Sequence, residues 1–182
     1  MPGQPRDAPG APSALAWFNT APAEEAERAL LACLRSPRWA LRLSGHRPYP
    51  DLPSLLAASD EATYDLSPKE LTEALAAEPL PALPDGTYSA AHTALTAAHT
   101  AYEAKFGHVF VICLDGVPEE ETLDRVLENI RSRLANDPED ERVVAAEQLR
   151  RLARERLPAV LGARGTALST ADGPAPGETP PR

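Results

Sequence analysis

The sequence predicts an all-α fold, one domain of about seven or eight helices between two disordered ends. Three observations carry this. Apolar residues recur at helical spacing, most clearly Leu123, Val126, Leu127, Ile130 and Leu134 at i, i+3, i+4, i+7 and i+11. Helix start signals punctuate the chain, as in Ser67-Pro68-Lys69-Glu70 and Asp137-Pro138-Glu139. Only one run, His108–Leu114, reads as a buried strand, and no second run of its kind exists to pair with it.

The elements follow in order. Thr20-Ala-Pro-Ala-Glu-Glu starts a helix, with Thr20 as its N-cap and Glu24 and Glu25 favoured by the helix dipole. It carries Leu30, Leu31 and Leu34 inward and stops near Ser36-Pro37. Trp39 and Leu43 mark a short second helix, His46-Arg-Pro-Tyr-Pro50 an extended turn, and Leu52–Ala58 another short helix. Ser67 caps the next, with Pro68 at the first helical position and Glu70 completing a capping box. Glu78 precedes Pro79 and is pushed out of the helical region, so Pro79–Gly86 is a loop. Ser89–Lys105 is an Ala-rich helix closed by Gly107 in a left-handed conformation. His108–Leu114 is a strand by periodicity alone, or an extended segment entering a helix or loop. Glu119–Ala135 is helical, and a last helix runs from about Glu139 to Leu161 with Val144, Leu149, Leu152, Leu157 and Val160 on its apolar face.

Composition sets the limits. The chain has 182 residues, 25% charged and 43% hydrophobic, ordinary values for a globular protein. Its 20 prolines are roughly twice the usual share. Eight of them are crowded into the two ends, so residues 1–12 and 163–182 are expected to be disordered around a domain at 13–162. A formal charge of −9 argues against non-specific binding to nucleic acid or an anionic membrane. No apolar run is long enough to span a bilayer, and the first residues lack a signal-peptide pattern. Cys33 and Cys113 both lie among apolar residues, as buried thiols of a reducing cytoplasm do.

Few side chains point to chemistry. Arg156 falls beside Leu149 and Leu152 on the inward half of the last helix, and an inward Arg needs an anion. That anion is either a structural partner or a bound carboxylate. His92 and His99 are seven apart and share a helix face, but no third ligand stands at the short spacing a zinc site uses. His92 is a candidate acid/base or an ordinary surface His. Glu78, at a helix exit, is either solvated or aimed into a cavity. The chain has no P-loop, dinucleotide fingerprint, nucleophile elbow or C-x-x-C.

The order of its short motifs goes further. Phe18-Asn19, Cys33…Ser36…Trp39, Arg47-Pro48-Tyr49 and Leu66-Ser67 leading to Glu73-Ala74 come first. Tyr102…Lys105-Phe106-Gly107 with Val109–Cys113, Arg133-Leu-Ala-Asn-Asp-Pro-Glu, and Glu147 with Arg156-Leu157 follow. In this order they resemble the OHCU decarboxylase family (2-oxo-4-hydroxy-4-carboxy-5-ureidoimidazoline decarboxylase) of urate and purine degradation. The resemblance covers Trp17–Leu161. It implies an all-helical, often dimeric, cytoplasmic enzyme that releases CO₂ without metal or organic cofactor and gives (S)-allantoin from a small anionic substrate.

The resemblance also implies a site, and this chain departs from it there. The family's His-Pro-Arg-Ile-Gly stretch is Glu78-Pro79-Leu80-Pro81-Ala82, so Glu78 stands at the catalytic His position. Its Ser-x-x-Glu-Gln stretch is Ser89-Ala90-Ala91-His92-Thr93, so His92 stands at the Glu position. Arg156 matches the substrate-binding Arg. Pro79, Ser89, Thr93 and the run Phe110, Val111, Ile112, Cys113 and Leu114 match substrate-contacting positions. Three outcomes follow: a decarboxylase with its acid/base pair exchanged, a paralogue acting on another small substrate, or a non-catalytic binding domain.

Overall fold

The structure, a computed structural model, describes residues 14–83 and 89–171, with side chains to 166 and none described at 84–90. Among these residues it is all helical, with no strand. The eight helices are α1 Ala14–Thr20, α2 Ala23–Cys33, α3 Pro37–Gly45, α4 Leu52–Tyr64, α5 Pro68–Ala77, α6 Ser89–Phe106, α7 Glu119–Arg133 and α8 Pro138–Ala171. The expectations for residues 1–12 and for the end of the C-terminal tail lie outside the described residues.

Local chemistry sets most boundaries. The Ser67 hydroxyl accepts from the Glu70 N–H, and the Glu70 carboxylate accepts from the Ser67 N–H, so the capping box is complete. Asp137 accepts from the N–H groups of Glu139 and Asp140 at the start of α8, each at 2.9 Å. Gly107, at φ +77°, ends α6 as expected.

Three boundaries differ. Thr20 is not a cap: it ends α1, a helix the sequence reading does not contain, and its hydroxyl donates back to the Ala16 carbonyl. Pro22 takes the N-cap position of α2. The fourth helix continues past Ala58 to Tyr64, because Ser59, Ala62 and Thr63 turn into the core and Thr63 donates to the Ser59 carbonyl. The last helix passes its expected stop at Leu161 and reaches Ala171. One Gly costs a helix only about 1 kcal/mol, too little to end one anchored by buried Leu157 and Leu161.

The core has two parts. The larger is built by α1 to α5 against α8, around Phe18, Leu30, Trp39, Leu55, Leu149 and Leu157. The Trp39 indole N–H donates to the Ser59 carbonyl at 3.2 Å. Two of the resemblance motifs meet here. Asn19 and Tyr49 exchange two hydrogen bonds, and Arg47 donates to the carbonyls of Phe18 and Ala21 across the cis Arg47-Pro48 bond. The smaller core lies between α6 and α7, around Leu95, Tyr102, Phe110, Val126 and Ile130.

The run at 108–114 passes between the two cores. Val109 and Val111 pack on the larger, and Phe110, Ile112 and Leu114 on the smaller. This alternation is why it reads as a strand. Side chains stand in for a partner strand. The Arg133 guanidinium donates to the Val111 carbonyl at 2.6 Å, and the Gln148 side-chain oxygen accepts the Cys113 N–H at 2.8 Å.

Arg133 is buried and paired with fully buried Glu141 at 2.6 and 2.8 Å. The Tyr102 hydroxyl donates to the same Glu141 oxygen, and Asn136 donates to the other. Arg133 also stacks over the Phe110 ring, 4.5 Å from its centroid. Burial, and then the bond to Glu141, hold the Tyr102 hydroxyl well above the usual phenol range. Breaking a buried pair leaves an uncompensated charge, so Glu141→Ala is expected to lower stability by about 3–5 kcal/mol, read from urea unfolding. Ser67→Ala, which removes only a cap, is expected to cost about 1 kcal/mol in the same measurement.

Candidate functional site

A cavity of about 310 Å³ opens where the end of α5, the extended run and the middle of α8 meet. Three charged residues line it: Glu78, Glu155 and Arg156. The rest of its wall is mostly apolar, from Leu80 and Ala82 on one side to Ile112, Leu114 and Leu152 on the other.

Glu78 owes its position to Pro79. The proline pushes it into an extended conformation (φ −73°, ψ 140°) one residue past the end of α5. The side chain therefore leaves the helix and points inward, with only 2% of it exposed. Arg156 reaches it from α8. Nη1 and Nη2 each donate to one carboxylate oxygen at 3.1 Å, a two-pronged pair, and Nη1 also donates to the Cys33 carbonyl at 2.9 Å. The Arg156 side chain keeps 30% exposure, far more than its partner. Beneath it, burial pushes the Cys33 thiol up to about 12 against the pull of Arg156, so this sulfur is a neutral thiol at any physiological pH.

The residues singled out from the sequence divide into three groups. Glu78, Pro79, Arg156, Val111, Ile112 and Leu114 line the cavity together. Phe110 and Cys113 do not. Phe110 is buried in the smaller core under Arg133, and Cys113 faces a second surface cleft, its thiol donating to Glu155 at 3.4 Å. Its N–H is taken by Gln148 and is not a free donor for a ligand. His92 and Thr93 are exposed on α6 and outside the cavity lining, and the Ser89 side chain lies outside the described residues. The structure thus does not bring His92 to Glu78 among the described residues. His99, seven residues and about two turns further along α6, stacks on Phe110 with its Nε2 buried, and burial lowers its affinity for a proton. No group of three or more His, Cys, Asp or Glu among the described residues is placed to hold a metal ion. No described helix is long and apolar enough to cross a membrane.

Glu155 and Gln148 escaped the sequence reading. Both are ordinary polar residues of a long charged helix. The available signal was their spacing: Glu141, Gln148 and Glu155 recur every seven residues and share one face of α8.

Comparisons with known proteins agree with this architecture. A family model described as OHCU decarboxylase matches residues 19–87 and 82–158. The two matched stretches overlap at residues 82–87. A search of curated proteins finds no match. Among solved structures, the chain is similar to one of (S)-allantoin synthase, at TM-score 0.66 and 23% identity over 82% of this chain and 54% of that one. It is also similar to one of OHCU decarboxylase in the presence of (S)-allantoin, at TM-score 0.55 and 23% identity over 72% of this chain and 95% of that one. The chain spans about half the length of the (S)-allantoin synthase chain and nearly all of the other. At this identity the two likenesses speak for the fold. The family model, matched over most of the helical domain, speaks for kinship: the chain belongs to the OHCU decarboxylase family.

Proposed function

We propose that this protein is a cofactor-independent decarboxylase that converts 2-oxo-4-hydroxy-4-carboxy-5-ureidoimidazoline to (S)-allantoin, with Glu78 as its proton carrier. The observation that carries this reading is a buried carboxylate in the wall of a small cavity, held in place by a two-pronged guanidinium. About 310 Å³ lies at the small end of the range for ligand pockets and suits a compact ureide. The two free, buried thiols suit a cytoplasmic setting.

The chemistry needs three things. Loss of CO₂ leaves the bonding electron pair on the ring, where the substrate's own C=N bond spreads it as an enolate-like charge. The substrate's carboxylate must be oriented, a task for the cation at Arg156. One ring face must then receive a proton from a fixed group, which makes the product a single enantiomer. The apolar wall of Leu80, Ile112, Leu114 and Leu152 favours the uncharged CO₂ over the carboxylate it came from. His92, exposed on α6, has no part in this scheme.

A second reading keeps the cavity and changes the substrate. It draws on charge: two carboxylates and one guanidinium line the site, which favours a less anionic small molecule.

Circular dichroism of freshly generated substrate decides between them. Wild-type protein is expected to produce (S)-allantoin above the spontaneous racemic rate. Glu78→Gln should slow this by about 10²–10⁴-fold, and His92→Ala should leave it at the wild-type level. Wild-type protein that gives no enantiomeric excess would sink the decarboxylase reading and leave the second.

A further inference from the structure

We propose that Glu78 is an internal stand-in for the substrate's carboxylate: it holds Arg156 until a ligand carboxylate takes the guanidinium, and, once displaced, it picks up the proton it later delivers. The inference rests on the reading of the cavity as a decarboxylase site.

Geometry makes the two anions rivals. Both carboxylate oxygens of Glu78 lie on the terminal nitrogens of Arg156, so its end-on fork, the one facing Glu78, is already engaged. A ligand cannot use that fork without moving Glu78. The pair is also looser than the fully buried one at Arg133. Its bonds are 3.1 Å, against 2.6 and 2.8 Å for Arg133 on Glu141. The more exposed partner is the Arg156 side chain, so an anion entering from the cavity meets Arg156 first.

The surroundings decide what a displaced Glu78 does. It is buried, and a buried charge that loses its partner is costly. It sits at the C-terminal end of α5, where the helix dipole disfavours an anion. Arg35 lies on the same helix end but is engaged with the Ala77 carbonyl at 2.7 Å. On α8, the next charged neighbour in the lining is another acid, Glu155. On α2, the Cys33 thiol is neutral. Apart from Arg156, no cationic side chain in the cavity lining is available to pair with Glu78. One proton therefore enters from solvent as the carboxylate binds. After the C–C bond breaks and CO₂ departs, that proton goes to the ring carbon, and the regenerated carboxylate returns to Arg156. The sum is one carboxylate and one proton consumed, one C–H bond and one CO₂ formed.

Titration calorimetry of the full chain in two buffers of different ionisation enthalpy tests this, with two probes that share an N–H-rich ring. Hydantoin-5-acetate carries a carboxylate and allantoin carries none. Wild-type protein is expected to take up about one proton per hydantoin-5-acetate bound near neutral pH, and none with allantoin. Glu78→Gln should abolish the uptake while tightening hydantoin-5-acetate by about tenfold, because the internal competitor is gone. A merely structural Glu78 would give the opposite change in affinity. The proposal is overturned if the carboxylate binds without uptake, if Glu78→Gln takes up the same proton, or if wild-type protein binds allantoin and refuses the carboxylate. The wild-type comparison needs no variant to fold. Each of these outcomes leaves the turnover assay standing as a separate test. Proton uptake without turnover would instead keep the exchange of anions at Arg156 and overturn the decarboxylase reading together with the delivery step.

Discussion

The guanidinium of Arg133 does the work that a neighbouring strand does in a sheet. A buried extended run carries backbone groups that must be satisfied, and in an all-helical protein there is no ladder to satisfy them. Arg133 supplies a donor for the Val111 carbonyl, and its own charge is met by Glu141, which Tyr102 and Asn136 then hold. Four elements converge on one ion pair: α6 through Tyr102, α7 through Arg133, α8 through Glu141, and the run itself through Val111 and Phe110. The wall of the cavity formed by Val111, Ile112 and Leu114 is only as fixed as this cluster.

Much of this architecture is legible in the sequence because it rests on local signals. The capping box at Ser67, the cap at Asp137 and the glycine at 107 each act within a few residues, and the structure keeps all three. What was not legible depends on distance along the chain. The period-two pattern of 108–114 is visible, but the groups that replace a partner strand lie 22 and 35 residues away, on Arg133 and Gln148. Helix α1 and the long continuation of α8 are held by tertiary burial that overrides weak local propensity. Thr20 shows the converse. It is a good cap by type, yet the helix before it claims its hydroxyl.

The candidate site divides along the same line. Arg156 could be read as inward from periodicity, and Glu78 as displaced from its helix by Pro79. Their pairing across 78 residues could not. The motifs that carry the family likeness prove to be largely scaffold. Asn19 with Tyr49, Arg47 with Phe18, and Arg133 with Tyr102 all tie elements together away from the cavity opening. Such motifs are bound by packing and buried hydrogen bonds. The cavity wall is set apart from this scaffold by charge, with the carboxylate of Glu78 held by Arg156.

The seven-residue recurrence of Glu141, Gln148 and Glu155 gives α8 a further role. Glu141 reaches the extended run at Val111 through Arg133, while Gln148 and Glu155 hold the N–H and the thiol of Cys113. Helix α8 is therefore a ruler as well as a core element, and it sets the run's register against Arg156. Inserting one residue between Gln148 and Glu155 would turn everything beyond it by about 100°. The anchor would stay intact while the guanidinium swung away from Glu78. In this fold, helix phase is a specification of the site, and α8 should tolerate substitution on its outer face far better than any change in its length.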